Sequence, residues 1–219
     1  MKIAVFGTGN VGETLASKLL SLGHEVSMGS RSTTNEKALA WVKKAGGKAS
    51  AGTFAEAAKG AALVVNATLG TGSVEALTQA GPGGLDGKVI LDLSNPLDFS
   101  KGTPPSLFIS NTDSLGELLQ RTFPKARVVK ALNTMWCGLM VNPRMLSEGS
   151  TTYVCGNDED AKGTVKTLLK SFGWHDEEIL DLGDLTGARA TEGYLPLWLR
   201  IYGATKNGAF NLKVIAAKG

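Results

Sequence analysis

The sequence predicts an α/β fold, a doubly wound and mostly parallel sheet with a C-terminal helical segment. Three observations predict it. Short apolar, β-branched runs alternate along the chain with amphipathic stretches. A glycine-rich turn separates the first run from the first stretch. Residues 186–218 carry no strand pattern.

Lys2-Ile3-Ala4-Val5-Phe6 ends abruptly at Gly7, as a buried parallel strand does. Val11, Leu15, Leu19 and Leu22 then recur at helical spacing up to Gly23, a C-terminal cap. His24 to Met28 reads as a second strand, residues 35–45 as a helix, and Lys48-Ala49-Ser50 as a weak strand. Thr53 and Glu56 form a capping-box pattern for a short helix over 53–59. Strands follow at 61–67, 88–93, 127–132, 151–155 and 178–182, with helices at 73–80, 114–123 and 158–172. Such alternation implies βαβ units with helices on both faces of the sheet. Residues 1–183 form the expected dinucleotide-binding domain, and 184–219 the helical segment. In the latter, Tyr194, Trp198 and Tyr202 stand four residues apart beside apolar neighbours. A stretch apolar on several faces must be buried on more than one side, against the sheet or in a subunit interface. Pro196 starts or kinks it.

Composition excludes several classes. The 219 residues include 28 Gly but only 7 Pro, with no Gly-X-Y period, so the glycines mean turns rather than collagen. A net charge of +3 without a basic stripe argues against nucleic acid. The longest clean apolar run, Ala61 to Val65, is far too short to cross a membrane, and Gly7 and Gly9 interrupt any leader-like stretch. The expectation is a soluble, cytoplasmic protein. Cys137 and Cys155 lack metal-site spacing and are expected as reduced thiols. His24 and His175 are the chain's two histidines, and both are expected away from the site.

Gly7-Thr8-Gly9-Asn10-Val11-Gly12 matches GxGxxG between strand and helix, the context of a dinucleotide fingerprint. In the Rossmann arrangement Gly7 permits the turn, Gly9 admits the pyrophosphate to the backbone, and Gly12 lets helix and strand pack closely. The helix N-terminus, reached through Thr8, Asn10 and Val11, offers unpaired N–H groups to the phosphates. The second strand ends in Met28-Gly29-Ser30-Arg31, without the carboxylate that binds a free ribose 2′-OH. Ser30 and the Arg31 guanidinium suit a 2′-phosphate instead, which favours NADP(H) over NAD. Three further strand ends carry small polar residues, Thr68, Asn95 and Asn133, with Leu69 and Ala131 beside them. Ligands of such sheets lie across these ends, so these residues are expected along the ribose and nicotinamide. Gly29 and Gly70 are expected to keep the backbone close to the cofactor. No acid/base set stands out, so no catalytic side chain and no metal ligand is assigned. That suits hydride exchange between two redox cofactors.

The chain resembles the NADPH-dependent reductases of the deazaflavin coenzyme F420. The resemblance runs from Lys2 to about Val214. It rests on the GTGNVG turn, Leu22-Gly23-His24-Glu25-Val26 leading to Gly29-Ser30-Arg31, Val128 to Thr134, and Val154-Cys155-Gly156-Asn157-Asp158. It implies NADP at Thr8 to Val11, Ser30 and Arg31 on the 2′-phosphate, a homodimer through the C-terminal helical part, and direct hydride transfer to the deazaflavin. The chain departs from the family at Leu69-Gly70, where Pro-Trp is usual, and at Asn133, where His is usual. Asn133 is similar to the reductase domains of transmembrane metalloreductases, which reduce a flavin. The acceptor therefore stands open between F420 and a flavin. Reduction of a small imine or carbonyl, and a non-catalytic NADP-binding redox sensor, are the alternatives.

Overall fold

A computed structural model describes residues 1–217; the last two positions of the 184–219 segment lie outside the described residues. The strands are β1 (Lys2–Phe6), β2 (Glu25–Ser30), β3 (Ala49–Thr53), β4 (Leu63–Asn66), β5 (Val89–Asp92), β6 (Leu97–Asp98), β7 (Ser106–Leu107), β8 (Arg127–Ala131), β9 (Thr152–Gly156) and β10 (Ile179–Asp181). The helices are α1 (Asn10–Ser21), α2 (Glu36–Ala45), α3 (Phe54–Ala58), α4 (Gly70–Thr78), α5 (Leu115–Thr122), α6 (Cys137–Val141), α7 (Glu159–Phe172), α8 (Ala188–Gly193) and α9 (Leu195–Thr205).

Eight strands form one sheet in the order β10-β9-β8-β5-β4-β1-β2-β3. From β3 to β8 every pairing is parallel. The strand order reverses between β1 and β4, which is the switch point of a doubly wound sheet. Successive β1 residues face opposite layers, as the two-residue strand period requires. Ile3 and Val5 join Leu15, Leu19, Trp41, Val165 and Phe172 on one face. Ala4 and Phe6 join Phe54, Leu77, Leu115 and Leu119 on the other. The predicted α/β class, with strands buried on both faces, is the observed one.

The structure departs from the sequence reading at a few elements. β9 runs antiparallel to β8, with Val129 opposite Gly156. Between them the chain forms only the five-residue α6 and short turns, so it never crosses back over the sheet as a parallel return would require. The β6–β7 ribbon and α6 were not expected, and α4 begins at Gly70 rather than at residue 73. The Thr53–Glu56 capping box is present as read. The helical segment departs in its packing. Leu185 and Ala188 belong to the second core layer, but Leu195 is the one buried residue of α9. Leu197 is 52% and Tyr202 45% exposed, so burial on more than one side does not hold within the chain. Pro196 starts α9 rather than kinking it. Beyond α9 an extended tail stacks Phe210 on Trp198, and Thr151 N–H donates to the Leu212 carbonyl at 2.8 Å.

Candidate functional site

The β1–α1 turn is shaped by three glycines with different constraints. Gly7 has φ +117°, and a Cβ there would meet the Ala67 carbonyl oxygen at 2.5 Å. A Cβ on Gly12 would lie 2.0 Å from the Gly7 carbonyl oxygen, so helix and turn touch backbone to backbone. Gly9 differs, because its Cβ position faces open space. Beside Gly9 lies a cleft of about 400 Å³ over the tips of β1, β2 and β4. Gly7, Thr8, Gly9, Ser30, Arg31, Thr68 and Leu69 all line it. Asn10 is exposed on the first turn of α1, Val11 packs half-buried against the core, and Gly12 is buried beneath.

Two helices begin at this cleft, and neither has a side-chain cap: α1 after Gly9 and α4 after Leu69. Of the other helices, α2, α3, α5 and α7 are capped by Asn35, Thr53, Ser114 and Asp158, while α6, α8 and α9 have no side-chain cap either. The first N–H groups of α1 and α4 therefore stay available to an anion, at the positive ends of both helices. Arg31 makes no ion pair among the described residues. The Ser30 hydroxyl is already committed, donating to the Ser32 carbonyl at 2.7 Å.

Asn95, Ala131 and Asn133 lie outside the cleft lining. Asn95 donates to the Asn133 carbonyl and Asn133 to the Asn95 side-chain oxygen, both at 2.9 Å. The two side chains thus bridge the tips of β5 and β8. Ala131 is a core residue, 1% exposed. Leu132 beyond it has φ +63°, a left-handed backbone that turns the chain sharply at the strand tip. Gly29 lines the cleft, whereas Gly70 lies outside its lining. A Cβ on Gly29 would strike the Phe6 ring at 2.9 Å, and one on Gly70 the Asn95 carbonyl at 1.9 Å. Both are small because protein packs against them.

Sequence reasoning missed Asn35, Thr71, Gly72, Glu75 and Gln79 in the cleft lining. Asn35 had a readable signal, since Asn before a helical run is a preferred N-cap. It also missed a buried charge cluster under the strand tips. Lys130 Nζ lies 2.5 Å from Asp92 and 2.7 Å from Glu192 and donates to the Ser94 carbonyl. Glu192 also accepts from the N–H groups of Leu115 and Gly116 at the start of α5. Asp92 accepts from Asn66 at 2.8 Å, and Asn66 in turn accepts from Thr68 in the cleft. Burial opposes the Lys130 charge, but the two carboxylates outweigh it and raise its pKa. Burial pushes the nearby Cys155 thiol up to about 12, which makes it no nucleophile. Cys137 and Cys155 are both buried and unpaired. His24 sits half-buried by the N-terminus and His175 on the surface.

Sheet order, glycine turn and uncapped helix ends together define a doubly wound fold of the dinucleotide-binding class. The family model described as NADP oxidoreductase coenzyme F420-dependent matches residues 2–96. A crystal structure from Arthrobacter sp. FB24, provisionally described as an F420-dependent NADP-reductase, is 49% identical. It covers 99% of this chain and 100% of its own, with a TM-score of 0.92. The chain belongs to the F420-dependent NADP oxidoreductase family. The metalloreductase STEAP3 of Rattus norvegicus is 29% identical over 203 residues, 90% of this chain, and the chain spans 38% of that relative's length. A reductive aminase from Aspergillus terreus in complex with NADPH and ethyl-5-oxohexanoate shares the fold. It is 24% identical, with a TM-score of 0.64 over 94% of this chain and 62% of its own.

Proposed function

We propose that the protein is an NADPH-dependent oxidoreductase that passes a hydride to a deazaflavin or flavin ring. The observation that carries it is the cleft itself: two uncapped helix ends, open space over Gly9, and an unpaired Arg31 at the tip of β2. These residues fit NADP(H). Backbone N–H groups from Thr8 to Val11 hold the pyrophosphate, with Gly12 allowing the close turn. Arg31 takes the 2′-phosphate, joined by Ser30 once its hydroxyl turns from Ser32. Thr68, Leu69, the Ala131 backbone, Asn95 and Asn133 flank the nicotinamide half. When bound, NADPH supplies the hydride; the chain's own residues bind and orient the reactants. The strand tips of β4, β5 and β8 present amides and hydroxyls, while Asp92 and Lys130 are sealed at 0% exposure. A reaction needing no protein acid or base suits that lining. Family membership supports an acceptor of deazaflavin type, and the likeness to a metalloreductase supports a reductase reaction.

Residues 1–183 carry the dinucleotide site in this reading, and the segment from 184 completes the acceptor side. The exposed apolar face of α9 is the surface through which a homodimer forms. Mixing the protein with NADPH and oxidised F420, or with FMN, and following ring absorbance tests the reaction. Bleaching of either ring is expected. Turnover on FMN alone moves the acceptor but not the class, and no NADPH consumption with either overturns the reading.

A further inference from the structure

Beneath the tip of β4, a closed set of hydrogen bonds fixes which way one cleft hydroxyl points. Asn66, Ser73 and Asp92 are each 0% exposed, whereas Thr68 lines the cleft. Lys130 holds Asp92 Oδ2 at 2.5 Å, and a carboxylate accepts but does not donate. The Asn66 amide nitrogen therefore faces Asp92 Oδ1, 2.8 Å away. That orientation turns Asn66 Oδ1 to Thr68, whose N–H and hydroxyl donate to it at 3.4 and 2.7 Å. Ser73 accepts from the same Asn66 nitrogen at 3.2 Å. It turns its own hydrogen to Thr68 at 2.9 Å, nearer than the Leu69 carbonyl at 3.3 Å.

A hydroxyl has one hydrogen and two lone pairs. At Thr68 the hydrogen goes to Asn66 and one lone pair to Ser73. A single lone pair is left for the cleft, so Thr68 accepts from a ligand and does not donate to one. Phosphate oxygens only accept and gain nothing there, whereas a ligand hydroxyl does. The place of Thr68 gives this polarity a use. Both α1 and α4 open on the cleft without a side-chain cap, so two helix ends attract the same pyrophosphate. Thr68 stands immediately before the start of α4. Its lone pair opposes an anion at that end and leaves α1 and Gly9 as the phosphate seat. With the 2′-phosphate at Arg31 on the tip of β2 and the pyrophosphate over β1, the group that reaches β4 is the ribose beside the nicotinamide.

Building on the proposed NADP(H) site, we propose that Asn66 is a positioning residue: anchored by Asp92, it makes Thr68 a hydrogen-bond acceptor for a hydroxyl of the nicotinamide-side ribose. The buried Lys130–Asp92 pair thereby sets the register of the dinucleotide, with phosphates at α1 and a sugar hydroxyl at β4.

Two probes, titrated by calorimetry, separate this contact from the rest of the cleft. NADPH carries the second ribose, and adenosine 2′,5′-bisphosphate lacks it. Thr68→Val should weaken NADPH roughly three- to tenfold, the effect of one neutral hydrogen bond, and leave the bisphosphate within about twofold. Thr68→Ser keeps the hydroxyl and should restore NADPH affinity. In Asp92→Asn, Lys130 draws the new amide oxygen and turns its NH₂ to Asn66, which reverses the Asn66 amide. Asn66→Ala removes that amide. Each should weaken NADPH as Thr68→Val does, and neither should weaken it further in a Thr68→Val background, the mark of residues acting as one unit. A purely structural loss lowers affinity for both probes and adds to the Thr68→Val effect. Circular dichroism checks folding, and the Thr68 pair decides the acceptor role even if an interior variant fails to fold. NADPH affinity of Thr68→Val within twofold of the parent, an equal loss for the bisphosphate, or additive losses in the double variants overturns the proposal. A parent that binds both probes, with Thr68 variants that bind them equally well, leaves the dinucleotide reading standing. A parent that binds neither overturns that reading and this proposal with it.

Discussion

Three glycines in one turn serve different ends, and single substitutions separate them. Gly12→Ala drives a methyl group into the Gly7 carbonyl, so the turn must deform. Thermal unfolding should show a lower Tm. Gly9→Ala meets nothing in the protein and should fold normally, yet its methyl occupies the side from which a pyrophosphate approaches. Its NADPH affinity should fall at least tenfold with Tm unchanged. Equal Tm losses in the two variants would count against the assignment of Gly9. Arg31 decides between the cofactors. Arg31→Ala should weaken NADPH roughly ten- to a hundredfold, the range of a charge-assisted hydrogen bond, and leave NADH nearly unchanged. Titration of both nucleotides by fluorescence checks it, and equal losses sink the 2′-phosphate role.

At the next scale, the C-terminal elements are locked to the sheet by charge. Glu192 brings α8 onto Lys130 of β8 and onto the first N–H groups of α5. Lys130→Met leaves Asp92 and Glu192 buried without their cation, a situation that costs about 3–5 kcal/mol. Urea unfolding should register a loss of that size. A second clamp joins α5 to α8, where Arg189 donates to Glu117 at 2.9 and 2.6 Å. The Arg189 guanidinium holds the Glu117 carboxyl below its ordinary value against the opposing effect of burial, with help from Ser114. The folded pKa is thus the lower one. Its stabilisation is complete above the unfolded value of 4.5 and disappears as pH falls through the folded value. Glu117→Gln should therefore cost stability at neutral pH and reduce the dependence on pH below 4.5. An unchanged slope in acid unfolding curves would contradict this.

For the molecule as a whole, the uneven burial of its two ends matters most. The sheet is covered on both faces, whereas α9 and the tail expose Leu197, Tyr202, Val214 and Ile215. Exposed apolar side chains gathered in one segment are the kind of feature that marks an interface. Sedimentation should give twice the chain mass, and Leu197→Glu with Tyr202→Glu should give the monomer. A monomeric parent at micromolar concentration would remove the homodimer from the reading. Among the described residues no helix is long and apolar enough to cross a membrane.

Much of this architecture was legible from local spacing. Alternating strands and helices, the GTGNVG turn, the missing acid before Arg31 and the Thr53–Glu56 capping box each need only neighbouring residues, because strand period, helix period and turn geometry are short-range properties. The reversal at β9 left a trace as well, since no helix pattern separates the strands at 127–132 and 151–155. Other features depended on segments meeting across the fold. Asn95 looked like a free ligand until Asn133 satisfied it. Lys130 gains its partners from β5 and from α8, segments far apart in the chain. The chain's local chemistry specified a Rossmann sheet with an NADP-type turn. Only the packing of distant segments decided which polar groups were already paired and which remained open to a ligand, because a hydrogen bond between remote residues leaves no period along the chain.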